Sequence, residues 1–211
     1  MRRFELAKES YGSGLKSFEA GDFDAARGLF HEAWVAFEKL DEKAFAHQAR
    51  KARAWATLNA SGGGEASHRL PLYGELVQEA LLVEDTELVA RARAGRALAA
   101  SELNYGEVDE SLREALRDTE TLGLDKLSGK LYAAVARRSG ELGPRAGAAR
   151  RAMALLDGQV EGVYAMYDVA VDAYNEGDYE LAIALCEETS GRRGELAADI
   201  QQVLDASRSQ L

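Results

Sequence analysis

The chain has 211 residues and a formal net charge of -10, with 36 acidic residues against 26 lysines and arginines. This balance disfavours sequence-independent binding to phosphate backbones, which needs clustered cations, so no nucleic-acid partner is expected. No uncharged apolar run approaches the roughly 18 residues of a membrane span, and the N-terminus lacks the apolar core of a secretory signal. We therefore expect a cytoplasmic protein without a membrane partner, and the single cysteine excludes an internal disulfide.

Helical periodicity dominates the sequence. Prolines number only two and hydrophobic residues make up 46% of the chain, while no segment alternates apolar and polar residues as a half-buried strand does. Apolar residues instead recur every three or four positions, as on one face of a helix. After a first helix that begins near residue 3, helices are predicted over 22–40, 41–60, 70–83, 84–104, 107–122, 125–139, 144–156, 160–176, 178–190 and 194–211.

Glycines separate these helices at intervals of roughly 34 to 43 residues, near positions 21, 63, 106, 140 and 177. Such a period indicates stacked helical pairs, and each glycine would lie between two antiparallel helices. The predicted pairs are 3–40, 41–83, 84–122, 124–157 and 160–190, with a capping helix over 194–211, all in one domain, 1–211. Asp22 or Asp24 is expected in the first turn of the second helix, and Pro71 in the first turn of its own helix.

One sequence pattern around a glycine turn occurs twice in the chain. FEAGDFDAARGLFHEAW, at 18–34, and YNEGDYELAIALCEET, at 174–189, share an aromatic residue, two further residues, glycine, aspartate and a second aromatic residue. This pattern resembles the tetratricopeptide repeat, a helix-turn-helix unit of about 34 residues. The matching positions are Gly14, Gly21, Phe23, Ala26, Phe30 and Ala33 in the first unit, and Ala170, Gly177, Tyr179 and Ala182 in the last, where Cys186 and Thr189 fill the remaining two.

The resemblance implies an all-α fold: a right-handed superhelical array of antiparallel helix pairs, or α-solenoid, with a C-terminal capping helix. It also implies a non-catalytic scaffold or adaptor that binds a protein or peptide on the concave face, which the first helix of each pair lines. Carried over by register, the candidate peptide-binding residues are Arg50, Arg53, Arg93, Arg96, Lys130, Arg137, Tyr164, Tyr167, Tyr174 and Asn175.

Arg53, Arg93 and Arg96 are expected to contact anionic groups of the partner, and Tyr167 and Tyr174 to act as aromatic anchors. Two alternatives stay open. The arginines could instead pair with acidic neighbours, as Glu87 could with Arg91 four residues later, and the tyrosines could pack in the core. Tyr11 and Leu15 occupy the places where one subclass of the family grips a terminal carboxylate with Lys and Asn, so that clamp is not expected.

A competing hypothesis is a structural module that self-associates, or docks one fixed partner, through its edge helices; the chain would be a monomer or a weak homodimer. An enzyme is not expected, and no catalytic residue, metal or cofactor is predicted. His31, His47 and His68 are scattered, and the spacing of Glu65 and His68 occurs once where a di-metal bundle needs two such pairs. Cys186 replaces the apolar residue that Phe30 supplies in the first unit, which predicts a buried, inert thiol.

Overall fold

The computed structural model describes residues 2–105, 108–138, 140–157, 159–189 and 194–211. Those residues form helices and connecting turns and contain no strand, which confirms the all-α class. The α-helices are α1 Arg2–Glu19, α2 Phe23–Lys39, α3 Lys43–Ala60, α4 Ala66–Leu82, α5 Thr86–Glu102, α6 Val108–Thr121, α7 Asp125–Ala136, α8 Leu142–Leu155, α9 Val160–Glu176, α10 Tyr179–Glu188 and α11 Ala197–Arg208. A short 3₁₀ helix, Gly194–Leu196, precedes α11. The predicted turn glycine Gly106 and the predicted helix ends at residues 107, 139 and 190 lie outside the described residues.

The bounds of α4 correct one prediction. The helix begins at Ala66, four residues before the predicted start, so Pro71 lies in its second turn rather than its first. A proline at this depth removes the hydrogen bond that its own N–H would have made, and its ring crowds the carbonyl four residues earlier. The first turn forms regardless, because Ala66 is buried and the N–H groups of His68 and Arg69 both bond to the carbonyl of Glu65.

Some of the turns between helices use the residues predicted from the sequence, and others do not. Asp22 caps α2 by accepting a hydrogen bond from the N–H of Ala25 at 3.1 Å. Gly177 ends α9 in the left-handed region, with φ of 84°, where glycine has no steric cost. Three turns use residues other than glycine at positive φ, namely Asp41, Glu84 and Asn104.

The helices form two compact units, Met1–Asn104 and Tyr105–Leu211. In the first unit α1 packs on α2, α2 on α3 and α4 on α5, while α3 also contacts α4 and α5. In the second unit each helix from α6 to α11 packs on the next, and α9 also contacts α7 and α11. Packing between sequence neighbours is compatible with a helical repeat. The two helices of the predicted pair 84–122 belong to different units.

Small residues allow close helix packing at the positions that carry the resemblance. Gly14 of α1 is buried against α2, where an added Cβ would lie 2.8 Å from the ring of Phe30. In the second unit Ala170 and Ala182 are fully buried. Cys186 is 1% exposed, which confirms the predicted buried thiol.

Asp85 ties the start of α5 to α3. Its carboxylate accepts hydrogen bonds from the N–H of Leu88 and the indole N–H of Trp55, each at 3.0 Å, and lies 3.0 Å from Nζ of Lys51. Burial on its own raises the pKa of Asp85, but these three donors together outweigh burial and hold the pKa below its ordinary value. The side chain therefore stabilises the fold as a carboxylate.

Candidate functional site

Two of the predicted arginines meet on one tryptophan. Arg50 and Arg53, one turn apart on α3, each place the guanidinium carbon 5.0 Å from the ring centre of Trp34 on α2. The indole N–H of Trp34 donates to Glu38 at 2.7 Å, which fixes the ring's orientation. A guanidinium held at this distance over an indole gains a cation–π interaction and loses rotamer freedom.

Arg53 uses its hydrogen-bonding groups within the unit. Its Nε and one terminal nitrogen both donate to Oε1 of Glu79 on α4, at 3.0 and 2.6 Å. A further terminal nitrogen lies 3.3 Å from Nδ1 of His31, which must be the acceptor because arginine can only donate. Arg53 is therefore paired with an acidic residue of a neighbouring helix, which is the alternative left open from the sequence.

Arg50 differs from its neighbour. Its Nε is buried without a hydrogen-bond partner among the described residues. Oε1 of Glu79 lies 4.0 Å from this nitrogen, beyond hydrogen-bond distance, and already accepts from Arg53. An unsatisfied buried donor of this kind is costly, so Arg50 is the side chain of this cluster with unused bonding capacity.

Arg50 also lines a groove of about 400 Å³, which we call the Trp34 groove. Its walls are formed by Trp34, Glu38, Asp41, Lys43, Ala46, His47, Arg50 and Leu82. Lys43, His47 and Arg50 are spaced by four and three residues along α3, so they share one face of that helix. The groove thus combines the cations of Lys43 and Arg50, the carboxylates of Glu38 and Asp41, and the apolar surfaces of Trp34 and Leu82.

The other two arginines of the first unit lie on α5. Arg93 is half-buried and Arg96 is exposed. On the same helix, Glu87 accepts a hydrogen bond from Nε of Arg91 at 2.8 Å, which confirms the pair proposed from its spacing.

The candidates of the second unit are spread over α7 and α9. Lys130 and Asn175 are exposed. Arg137, at the end of α7, donates through Nε to Asp168 on α9 at 2.9 Å, so it is partnered within the unit. Tyr174 is half-buried, with its ring centre 5.6 Å from that of Tyr179.

Tyr164 and Tyr167 pack against the core of the second unit and are half-buried. Burial raises the pKa of Tyr167, and the nearby carboxylates of Asp199 and Asp168 raise it further. These two rings are therefore partly in the core. The sequence had left this open as an alternative to peptide binding.

Sequence reasoning missed the partners of Arg50 and Arg53. It placed candidates on the first helices of the pairs alone, whereas Trp34 and Glu79 lie on α2 and α4. The spacing of Lys43, His47 and Arg50 was the available signal of a cationic helix face.

Comparison with known proteins finds no family model that matches the chain and no curated protein that matches it. Across the described ranges, no three His, Cys, Asp or Glu side chains are grouped so that they could hold a metal ion. None of the helices in those ranges is long and apolar enough to cross a membrane.

Proposed function

We propose that the chain is a non-catalytic scaffold or adaptor that binds a protein or peptide, built as a right-handed tetratricopeptide-like array. The observation that carries the proposal is that, within each unit, helices pack on their sequence neighbours, with Arg96 and Lys130 left exposed on helices that the resemblance assigns to the binding face. Stacked helical pairs create extended binding surfaces because each pair adds one helix to the same face.

The exposed cations favour a partner that carries acidic groups. Arg96 and Lys130 attract such groups at long range, although each contact at an exposed site contributes modestly. Tyr164 and Tyr174, both half-buried, offer rigid contact area that costs little conformational entropy on binding. Arg53 and Arg137 already have carboxylate partners, so they act mainly within the protein.

A pull-down from host lysate tests the proposal with charge-matched variants. The test variant carries Arg96→Glu and Lys130→Glu. The control carries Arg27→Glu and Arg113→Glu on α2 and α6, where both arginines are exposed. We expect the wild type and the control to retain the same partner and the test variant to lose it. Equal retention by both variants would contradict the role of these cations, and circular dichroism checks that each variant is folded.

A second candidate function is self-association through the edge helix α1. The specific observation is a groove of about 530 Å³ whose lining includes Arg3, Leu6, Glu32 and Leu40 of α1 and the end of α2. The side chain of Leu6 is 54% exposed there, a surface that a second copy could cover. If the chain self-associates, its mass in sedimentation rises with concentration and Leu6→Ser abolishes the rise. A concentration-independent monomer mass would exclude this candidate.

A further inference from the structure

We propose that the Trp34 groove is a docking site for a peptide segment that carries an aspartate or glutamate next to an aliphatic side chain. The inference rests on the proposed function, protein binding, and adds the surface and the ligand chemistry. This surface lies between α2, α3 and the end of α4; it shares Arg50 with the face that the repeat resemblance suggests and adds Trp34 of α2 and Leu82 of α4.

Arg50 supplies the anion-binding group. Trp34 holds the guanidinium at 5.0 Å, and the buried Nε has no acceptor among the described residues. Glu79 cannot serve, because its Oε1 is 4.0 Å from Nε and receives two hydrogen bonds from Arg53. The Nε itself is closed to solvent, but the Arg50 side chain is 29% exposed and lines the groove, so its two terminal nitrogens can bind the two oxygens of a ligand carboxylate in a planar pair of hydrogen bonds.

The charge of the groove selects a carboxylate. Lys43 lines the same wall as Arg50, so the α3 side attracts an anion. Lys43 is 3.8 Å from Asp41, but both side chains are almost fully exposed, and such a pair exchanges partners at little cost. Glu38 and Asp41 also line the groove, so a phosphate dianion is repelled more strongly than a single carboxylate.

The remaining surface selects an aliphatic neighbour. Leu82 is 62% exposed at the end of α4 and lines the groove together with Ala46 and the ring of Trp34. An aliphatic side chain adjacent to the carboxylate covers this apolar area and removes it from water.

The two tryptophans give the experiment an internal reference. The probe is the blocked peptide Gly-Ser-Asp-Leu-Asp-Leu-Ser-Gly, titrated into ¹⁵N-labelled full chain and followed by the indole N–H resonances. We expect the Trp34 resonance to shift and saturate. The Trp55 resonance should stay unchanged, because its N–H is bound to Asp85 at 3.0 Å. The same peptide with asparagine in place of aspartate should produce no saturable shift.

Arg50→Gln tests the assignment, and we expect it to weaken binding roughly tenfold to a hundredfold, the contribution of hydrogen bonds to a charged group. Arg91→Gln is the matched control. Arg91 also lies over a tryptophan, 5.9 Å from the ring centre of Trp55, but it is outside the groove and bonds to Glu87. Its removal should leave peptide affinity unchanged. Arg50→Lys keeps the charge without the fork and should weaken binding several-fold, which maintains the test if Arg50→Gln fails to fold.

Three results would overturn the inference: no saturable Trp34 shift with the acidic peptide, equal affinity for the asparagine peptide, or tighter binding of a phosphoserine peptide. If the Trp34 resonance does not move while the wild-type chain still retains a partner from lysate, the groove assignment fails and the proposed function stands. If the peptide binds as expected but no lysate partner depends on Arg96 and Lys130, the groove stands and the proposed binding face fails.

Discussion

Gly95 of α5 should not tolerate a side chain, although it lies mid-helix, where alanine is normally favoured. An alanine Cβ there would lie 2.4 Å from Cε1 and 2.5 Å from Cζ of Tyr73 on α4. The ring cannot move away easily, because Tyr73 is 7% exposed and its hydroxyl donates to the carbonyl of Ser61 at 3.4 Å. Forcing an extra methyl into a packed site costs about 1–3 kcal/mol.

Gly74 provides the matched control, because it lies mid-helix in α4 of the same unit and an added Cβ would meet nothing within 4 Å. Gly74→Ala should raise the free energy of unfolding by up to about 1 kcal/mol, the helix-propensity gain. Gly95→Ala receives the same gain in helix propensity, but the clash with Tyr73 destabilises it. It should therefore be about 1–3 kcal/mol less stable than Gly74→Ala.

Urea unfolding followed by far-UV circular dichroism measures both variants. Equal stability of the two would refute the close packing of α4 on α5. The Tyr73→Leu variant tests whether the clash with Tyr73 causes the loss. In a protein that already carries Tyr73→Leu, the loss of stability from Gly95→Ala should be smaller, because the two sites are in direct contact.

Three further predictions concern other contacts. Asp85→Asn should lower stability by about 1 kcal/mol at neutral pH, because asparagine still caps α5 but cannot make the charge-assisted contacts with Trp55 and Lys51. Since the folded-state pKa of Asp85 lies below the ordinary 3.8, this stabilisation is present above that pH and lost as the pH falls through the folded value; the two proteins should converge in urea melts at acid pH. Glu84→Gly should raise stability by about 0.5–1 kcal/mol in thermal unfolding, because Glu84 has φ of 51°. Arg145→Met should cost about 1.5–3 kcal/mol, since Arg145 is buried, donates Nε to the carbonyl of Ala136 at 2.9 Å and pairs with Asp172; an unchanged urea midpoint would contradict this.

The sequence predicted the helices well because their periodicity and end signals are local. The predicted bounds of α9 agree at both ends, and Asp22 caps α2 as expected. The start of α4 was wrong because a proline was taken as a helix boundary, whereas tertiary packing extends the helix through it. The helix breaks predicted at 40/41 and 83/84 agree with the structure, but the positive φ of Asp41 and Glu84 was not predicted, because a single polar residue at positive φ leaves no strong sequence pattern.

The candidate site was harder to predict, because its contacts join residues far apart in sequence. Arg53 reaches Glu79, and Arg50 stacks on Trp34, across helices whose mutual rotation a periodicity argument does not determine. Local spacing did predict the pair of Glu87 and Arg91, where both partners share one helix.

We propose above that the chain binds a protein partner through charge and shape. The most direct measurement is quantitative mass spectrometry of the lysate proteins that the immobilised wild-type chain retains at low and at moderate salt. We expect a small set of proteins with acidic segments to be enriched over empty resin and released as the salt rises, because exposed charge pairs are screened. Identical proteins on the chain and on empty resin at both salt concentrations would contradict it.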